Sequence, residues 1–141
     1  MSILEKAILI AVQAHQGQVD KAGVPYILHP LRVLLKLNSE TEMIIGVLHD
    51  VVEDTTWTLE SLKQEGFPTE ILEAIDCLTR REGEDYNDFI KRVAGNPLAR
   101  KVKMRDLEDN MNILRLETIT EKDKARLSRY HEAWITLTNE E

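Results

Sequence analysis

Residues 41–55 read Thr-Glu-Met-Ile-Ile-Gly-Val-Leu-His-Asp-Val-Val-Glu-Asp-Thr, and their reading decides the fold. Met43, Ile44, Ile45, Val47, Leu48, Val51 and Val52 spread around the whole circumference of a helix over roughly 41–53. A helix that is apolar all round is a buried helix. Yet it carries His49, Asp50, Glu53 and Asp54. Burying charges of one sign is very costly unless they are paired or bind a metal. Helical spacing organises them: His49 and Glu53 are four apart, as are Asp50 and Asp54, so two polar columns lie side by side. Glu53 and Asp54 also suit the wet end of a half-buried helix. His49 and Asp50, in its middle, do not.

Working outward, no segment alternates strictly between apolar and polar residues, and the few glycines and prolines sit at joints. A helix over 3–16 carries Leu4, Ile8, Ala11 and His15 on one stripe. Gln16 to Pro25 is a loop, with Gly17, Gly23 and Pro25. Pro30 suits a first helical position, which places His29 at the mouth of a helix over 30–37. Ser39, with Glu42 three residues on, resembles a capping box for the helix at 41–53. Further helices are expected near 58–65, 69–79, 85–94, 97–115 and 120–138, the last capped by Thr120. Gly95-Asn96-Pro97 is a stop and restart. The expectation is one all-α domain over 1–141, without repeats or linkers.

Composition sets the outer limits. A chain of 141 residues with 43% hydrophobic and 30% charged residues has an ordinary globular make-up. Its longest apolar runs, Ala7 to Val12 and Met43 to Leu48, fall far short of the about 20 residues a membrane span needs. Glu5 interrupts the N-terminus early, so no signal peptide is read there. Cys77 is alone, which points to a reducing, cytoplasmic setting without disulfides. Against 18 Lys and Arg stand 25 Asp and Glu, a formal net charge of −7. An acidic chain is a poor partner for nucleic acid. A small anionic ligand is still admissible, because a metal ion and a few lysines hold phosphate locally.

A second anomaly lies on the helix that starts near Pro97. Leu98, Val102, Asp106, Asn110 and Ile113 share a stripe, so Asp106 and Asn110 fall at core-facing positions. Arg105, Glu108 and Asp109 read as the wet side of that helix. With His29 and the His49-Asp50 pair, Asp106 completes a set of two imidazoles and two carboxylates from three helices. Such a set suits a divalent transition metal with positions left for water. His15, on the apolar stripe of the first helix, reads as a hydrogen-bonded core histidine beside the site, and His131 as surface. Arg80, Arg81, Lys101, Lys103 and Arg105 read mostly as solvated charges. Tyr86 reads as a core or rim aromatic.

The order His … His-Asp … Asp resembles the HD-domain metal-dependent phosphohydrolases, and more closely the RelA/SpoT-type hydrolase domains. Pro25-Tyr-Ile-Leu-His-Pro30 resembles the segment with the first metal histidine. Leu48-His-Asp-Val-Val-Glu-Asp-Thr55 resembles the second segment. Val102-Lys-Met-Arg-Asp-Leu-Glu-Asp-Asn-Met111 resembles the third, with its Asp and Asn four apart. The similarity spans roughly residues 10–115, and a chain this short leaves no room for a synthetase, as in the stand-alone small alarmone hydrolases.

The resemblance implies a compact helical bundle that hydrolyses the 3′-diphosphate of guanosine tetraphosphate or pentaphosphate to GDP or GTP and pyrophosphate. It implies one Mn²⁺ held by His29, His49, Asp50 and Asp106. It implies Glu53 and Asp54 as the pair that activates water, Asn110 as a nucleotide contact and Lys21 as a phosphate or sugar contact. One departure stands out. Asp20, followed by Lys21, occupies the place of the family's basic pair, whose first member stacks on guanine. Ile113 stands where a base-contacting Thr is common. Two other readings therefore stay open: a phosphohydrolase for another nucleotide, NADPH or a phosphomonoester, and a non-catalytic helical module that binds a nucleotide or a partner. The sequence leaves a homo-oligomer open and expects neither nucleic acid nor membrane as partner.

Overall fold

The computed structural model describes residues 1–139. The described residues form helices and no strand; one isolated bridge pairs Val19 with Pro25. The helices are α1 (Ile3–Ala14), α2 (Leu28–Leu35), α3 (Glu40–Leu48), α4 (Val51–Asp54), α5 (Leu59–Gln64), α6 (Thr69–Cys77), α7 (Tyr86–Ala94), α8 (Pro97–Asn110) and α9 (Glu121–Asn139). The all-α expectation holds.

Helix α3 is the central post, packed by α1, α2, α6 and α8. Its Ile44, Ile45, Val47 and Leu48 are buried, as an all-round apolar helix must be. Gly46 lets α2 approach: a Cβ there would lie 2.6 Å from Leu37 Cδ1. Helix α8 packs on α2, α3, α6, α7 and α9, so it ties the two sides of the molecule together. Ala99, Val102 and Leu107 supply its apolar face.

Four boundaries differ from expectation, each for a local reason. The helix expected over 41–53 breaks at His49 and Asp50 into α3 and α4. His49 Nδ1 lies 2.6 Å from the Gly46 carbonyl, the acceptor that the Asp50 N–H would use in an unbroken helix. Helix α2 begins at Leu28, so His29 is its second residue and Pro30 its third; a first-turn proline is tolerated because N–H groups there have no helical partner. Helix α1 ends at Ala14. The helix expected to 115 ends at Asn110, and a 3-10 turn covers Ile113–Arg115.

The caps are read well. Asn96 accepts the Ala99 N–H ahead of Pro97, and Thr120 exchanges hydrogen bonds with Asp123. Ser39 caps α3 through the Glu42 N–H, but only half of the box forms. The Glu42 carboxylate accepts instead from the Asn38 N–H and from Lys101.

Candidate functional site

Helix α2, the α3–α4 joint and α8 bring His29, His49, Asp50 and Asp106 to one point. His29 Nε2 lies 2.8 Å from Asp106 Oδ1 and 3.8 Å from Asp50 Oδ2. His49 Nε2 lies 3.0 Å from Asp50 Oδ2 and 3.3 Å from Asp106 Oδ1. Both histidines and Asp106 are buried, and Asp50 is half-buried. Among the described residues, His29, His49 and Asp50 offer ligand atoms all within 4.8 Å of one another, and so do Asp50, Glu53 and Asp54. The break at His49-Asp50 serves this convergence. It frees two consecutive side chains from helical spacing, so both reach the same point.

The tautomer of His49 follows from its partners. A carbonyl oxygen only accepts, so Nδ1 donates to Gly46 and Nε2 faces Asp50 and Asp106. Without an ion, burial depresses both imidazoles, but the carboxylates outweigh it. Asp106 and Asp109 raise His29 above an ordinary histidine, and Asp50 and Asp106 raise His49 well above one. Burial pushes Asp50 up, yet the His49 charge brings it down to about 2. Asp106 is likewise buried, and Lys103 and His49 hold it well below the usual carboxylate range. Two ring protons thus balance two carboxylates. A dication at the same point replaces those protons charge for charge, and the N/O donor set fits a divalent metal.

Three neighbours complete the shell. The Tyr26 hydroxyl donates to Asp50, and its ring packs between those of His15 and His29, with centroids 5.0 and 5.5 Å away. Lys103 Nζ donates to Asp106 Oδ2 at 2.8 Å and sits over the Phe89 ring. Asn110 Nδ2 donates to Asp106 Oδ1 at 3.1 Å.

Beside this cluster opens a cavity of ≈ 240 Å³, walled by Tyr26, Asp50, Glu53, Arg80, Tyr86, Lys103, Asp106, Asn110, Arg129 and Tyr130 among others. Glu53 stands on its rim and accepts the Arg80 backbone N–H at 2.8 Å. Asp54 follows it. Partial burial, then the charges of Asp50 and Glu53, push the Asp54 carboxyl up to about 6.

Lys21 does not reach this cavity. It lines an adjoining hollow of ≈ 280 Å³ with Val19, Asp20, Ile113, Arg115 and Leu116; Tyr26 and Asn110 belong to both. The Asp20 carboxylate accepts the N–H groups of Ala22 and Val24, so it builds the turn that carries Lys21 and Gly23. Gly23 takes a φ of 82° in that turn.

The remaining expectations divide. His15 is buried and hydrogen-bonded to Gln18, and His131 is exposed, as read. Tyr86 is half-buried on the cavity wall. Two readings are overturned. Asp109 is not on a wet side: it is buried against His29 and Arg32. Lys103 is not a solvated charge. Both lie three residues from Asp106 on one helix, and Arg32 lies three from His29. Such spacing puts side chains on the same face, and it is the signal that finds them.

No family model matches the chain. Sequence relatives do. The chain is 35% identical over 128 residues to the probable GTP pyrophosphokinase of Mycobacterium leprae, across 82% of this chain and 16% of that protein. It is 33% identical over 124 residues to the guanosine-3′,5′-bis(diphosphate) 3′-pyrophosphohydrolase of Aquifex aeolicus, across 79% and 18%. It is 34% identical over 116 residues to the bifunctional (p)ppGpp synthase/hydrolase SpoT of Escherichia coli, across 79% and 16%. The chain spans about one sixth of the length of these curated relatives. A solved structure described as a metazoan ortholog of SpoT that hydrolyzes ppGpp superposes with a TM-score of 0.79 at 20% identity, covering 97% of this chain and 86% of that one. At that identity the likeness carries the fold.

Proposed function

We propose that this chain, which belongs to the RelA/SpoT-type family, hydrolyses the 3′-diphosphate of guanosine tetraphosphate and pentaphosphate, releasing pyrophosphate and GDP or GTP. The observation that carries this reading is the convergence of two imidazoles and two carboxylates beside a cavity whose rim holds Glu53. Relatives named as synthases and as hydrolases both match this stretch. A buried His/Asp cluster beside an acidic pair is equipped to activate water, which favours hydrolysis.

His29, His49, Asp50 and Asp106 hold the metal in this reading, and Mn²⁺ suits their mix of imidazole and carboxylate. A divalent ion there supplies a Lewis acid that acidifies water and offsets phosphate charge. Glu53 acts as general base. The Arg80 backbone N–H fixes one carboxylate oxygen at 2.8 Å, leaving the other to take a proton from the attacking water. Asp54, the next residue along the chain, assists in moving that proton. Lys103, Arg80 and Arg129 line the cavity and meet phosphate oxygens. Asn110 borders both spaces and contacts the nucleotide where it passes between them. Lys21 and Arg115 face the rest of the nucleotide in the adjoining hollow.

The test is ³¹P NMR of guanosine tetraphosphate incubated with metal-stripped protein, with and without Mn²⁺, quenched with chelator. GDP and pyrophosphate formed only with Mn²⁺ is the expected result. No turnover by folded, metal-loaded protein refutes the substrate.

One observation favours a second reading, another phosphorylated substrate at the same site. Asp20 is spent on its own turn, and the nearby walls of the adjoining hollow are Val19, Ile113 and Leu116. That surface receives a planar ring but offers no guanidinium from position 20 to stack on it. A panel of adenine and guanine nucleotides, NADPH and phosphomonoesters separates the two readings.

A further inference from the structure

We infer that Asp109 is a positioning residue for the metal site: with Arg32 it locks the ring of His29 so that Nε2 faces the other three ligands. This rests on the metal-binding reading above. The Asp109 side chain is 2% exposed, and its Oδ2 lies 2.6 Å from His29 Nδ1. Arg32 grips the same carboxylate as a fork, Nε to Oδ1 at 2.8 Å and Nη2 to Oδ2 at 3.0 Å. Arg115 adds a hydrogen bond to the Asp109 backbone carbonyl at 3.1 Å.

Stability alone gives little reason for this arrangement. A buried ion pair is often replaceable by apolar residues at no loss. The site gives a reason. An imidazole has two ring nitrogens, and a ligand through Nε2 needs its proton on Nδ1 and its plane fixed. His49 obtains both from the Gly46 carbonyl on its own helix. His29 sits in the first turn of α2, and its Nδ1 finds Asp109 eighty residues away on α8. A carboxylate that accepts from Nδ1 also makes the ring a stronger ligand, and losing such a partner typically costs about 10–100-fold in metal affinity. Arg32 keeps that carboxylate charged and stops it from swinging toward the metal itself, since its fork occupies both oxygens.

The experiment is a Mn²⁺ titration of the full, chelator-stripped chain, following free Mn²⁺ by electron paramagnetic resonance. It compares wild type, D109N, R32Q and, as a charge control on the same helix, E108Q. Glu108 is 40% exposed and pairs only with Lys36 and Arg105 among the described residues. Thermal melts in chelator run alongside. The inference expects one site in wild type, binding about 10–100-fold weaker in D109N, weaker also in R32Q, and unchanged in E108Q. A D109N protein that melts lower but binds Mn²⁺ within twofold of wild type has a merely structural Asp109, and the inference falls. If D109N does not fold, R32Q decides by the same criterion. Wild type that takes up no Mn²⁺ overturns the metal reading, and this inference with it.

Discussion

Replacing Lys103 with Met tests how the site holds its buried charge. Lys103 Nζ lies 2.8 Å from Asp106 Oδ2, with the two side chains 14% and 5% exposed. Methionine keeps most of the chain length and the packing on Phe89 but removes the charge. Asp106 Oδ1 retains His29, His49 and Asn110, while Oδ2 loses its lysine. Breaking a buried pair by removing one partner costs about 3–5 kcal/mol. The partners left on the other oxygen put this case at the low end, about 3 kcal/mol. At roughly 3 °C per kcal/mol for a chain of this size, Tm falls by about 10 °C. Calorimetry in chelator measures it. Replacing Asp106 with Asn in the same background removes the stranded charge. The double variant K103M/D106N then loses less than the sum of the singles, with a coupling of about 1–3 kcal/mol. A K103M drop below 3 °C, or strict additivity in the double variant, refutes the claim that this pair carries the charge balance.

Two other outcomes follow from the same geometry. Glu53→Gln lowers kcat by about 10²–10⁴-fold, measured on guanosine tetraphosphate, while Mn²⁺ affinity stays within twofold; full activity would remove Glu53 as the base. The pH dependence of stability reverses with metal. In the metal-free chain His29 and His49 titrate above an ordinary histidine, so their stabilising contribution is complete below about pH 6.5 and fades as pH rises through their folded values. Asp50 and Asp109, held low, contribute above about pH 4 and lose that contribution only in acid. Metal-free protein therefore melts higher at pH 6 than at pH 8. Mn²⁺ competes with the ring protons, so the loaded protein gains more from the ion at pH 8. Melts at both pH values, with chelator and with Mn²⁺, check the crossover; a higher metal-free Tm at pH 8 contradicts it.

The sequence carried the fold where periodicity and caps act locally. Asn96-Pro97 and Thr120 start helices where expected, because each cap depends on residues within three positions. The convergent polar cluster is legible because His49, Asp50 and Asp106 stand where apolar residues belong, and polarity in a buried position demands a reason. What stayed hidden depends on distance. The break at His49 comes from its own side chain competing for a helical acceptor, which no propensity registers. The burial of Asp109 depends on α2 docking against α8 with Arg32 and His29 in place. Seen along α8 alone, Asp109 sits among Arg105 and Glu108 and looks wet. Lys103 is hidden among the other basic residues for the same reason: a lysine is usually solvated, and only its carboxylate partner and the Phe89 face make burial tolerable.

In the proposed reading a chain of net charge −7 receives a polyphosphate, and the cavity is where its charge must be balanced. Asp50 and Asp106 contribute two negative charges, and a dication cancels them. Lys103, Arg80 and Arg129 then leave that part of the wall positive, with Glu53 confined to the rim. Without the dication, and once pH has risen far enough for His29 and His49 to lose the ring protons that otherwise balance the carboxylates, Lys103 is engaged in neutralising Asp106, and an incoming phosphate meets an additional carboxylate, Asp50. Phosphate affinity and metal affinity are therefore linked, each raising the other by the same factor. The probe is pyrophosphate, the proposed product, titrated calorimetrically, at a pH alkaline enough to deprotonate the metal-free rings, into metal-stripped protein in chelator and into protein saturated with Mn²⁺. Binding at least 10-fold tighter with the metal, after correction for the Mn²⁺–pyrophosphate complex, is the expected result. The same increment lost in D50A, which removes a proposed ligand, and kept in E53Q, which does not, places the coupling at the proposed ligand set. Equal affinity with and without metal means that Arg80, Lys103 and Arg129 bind phosphate unaided, and the charge argument for the cavity fails.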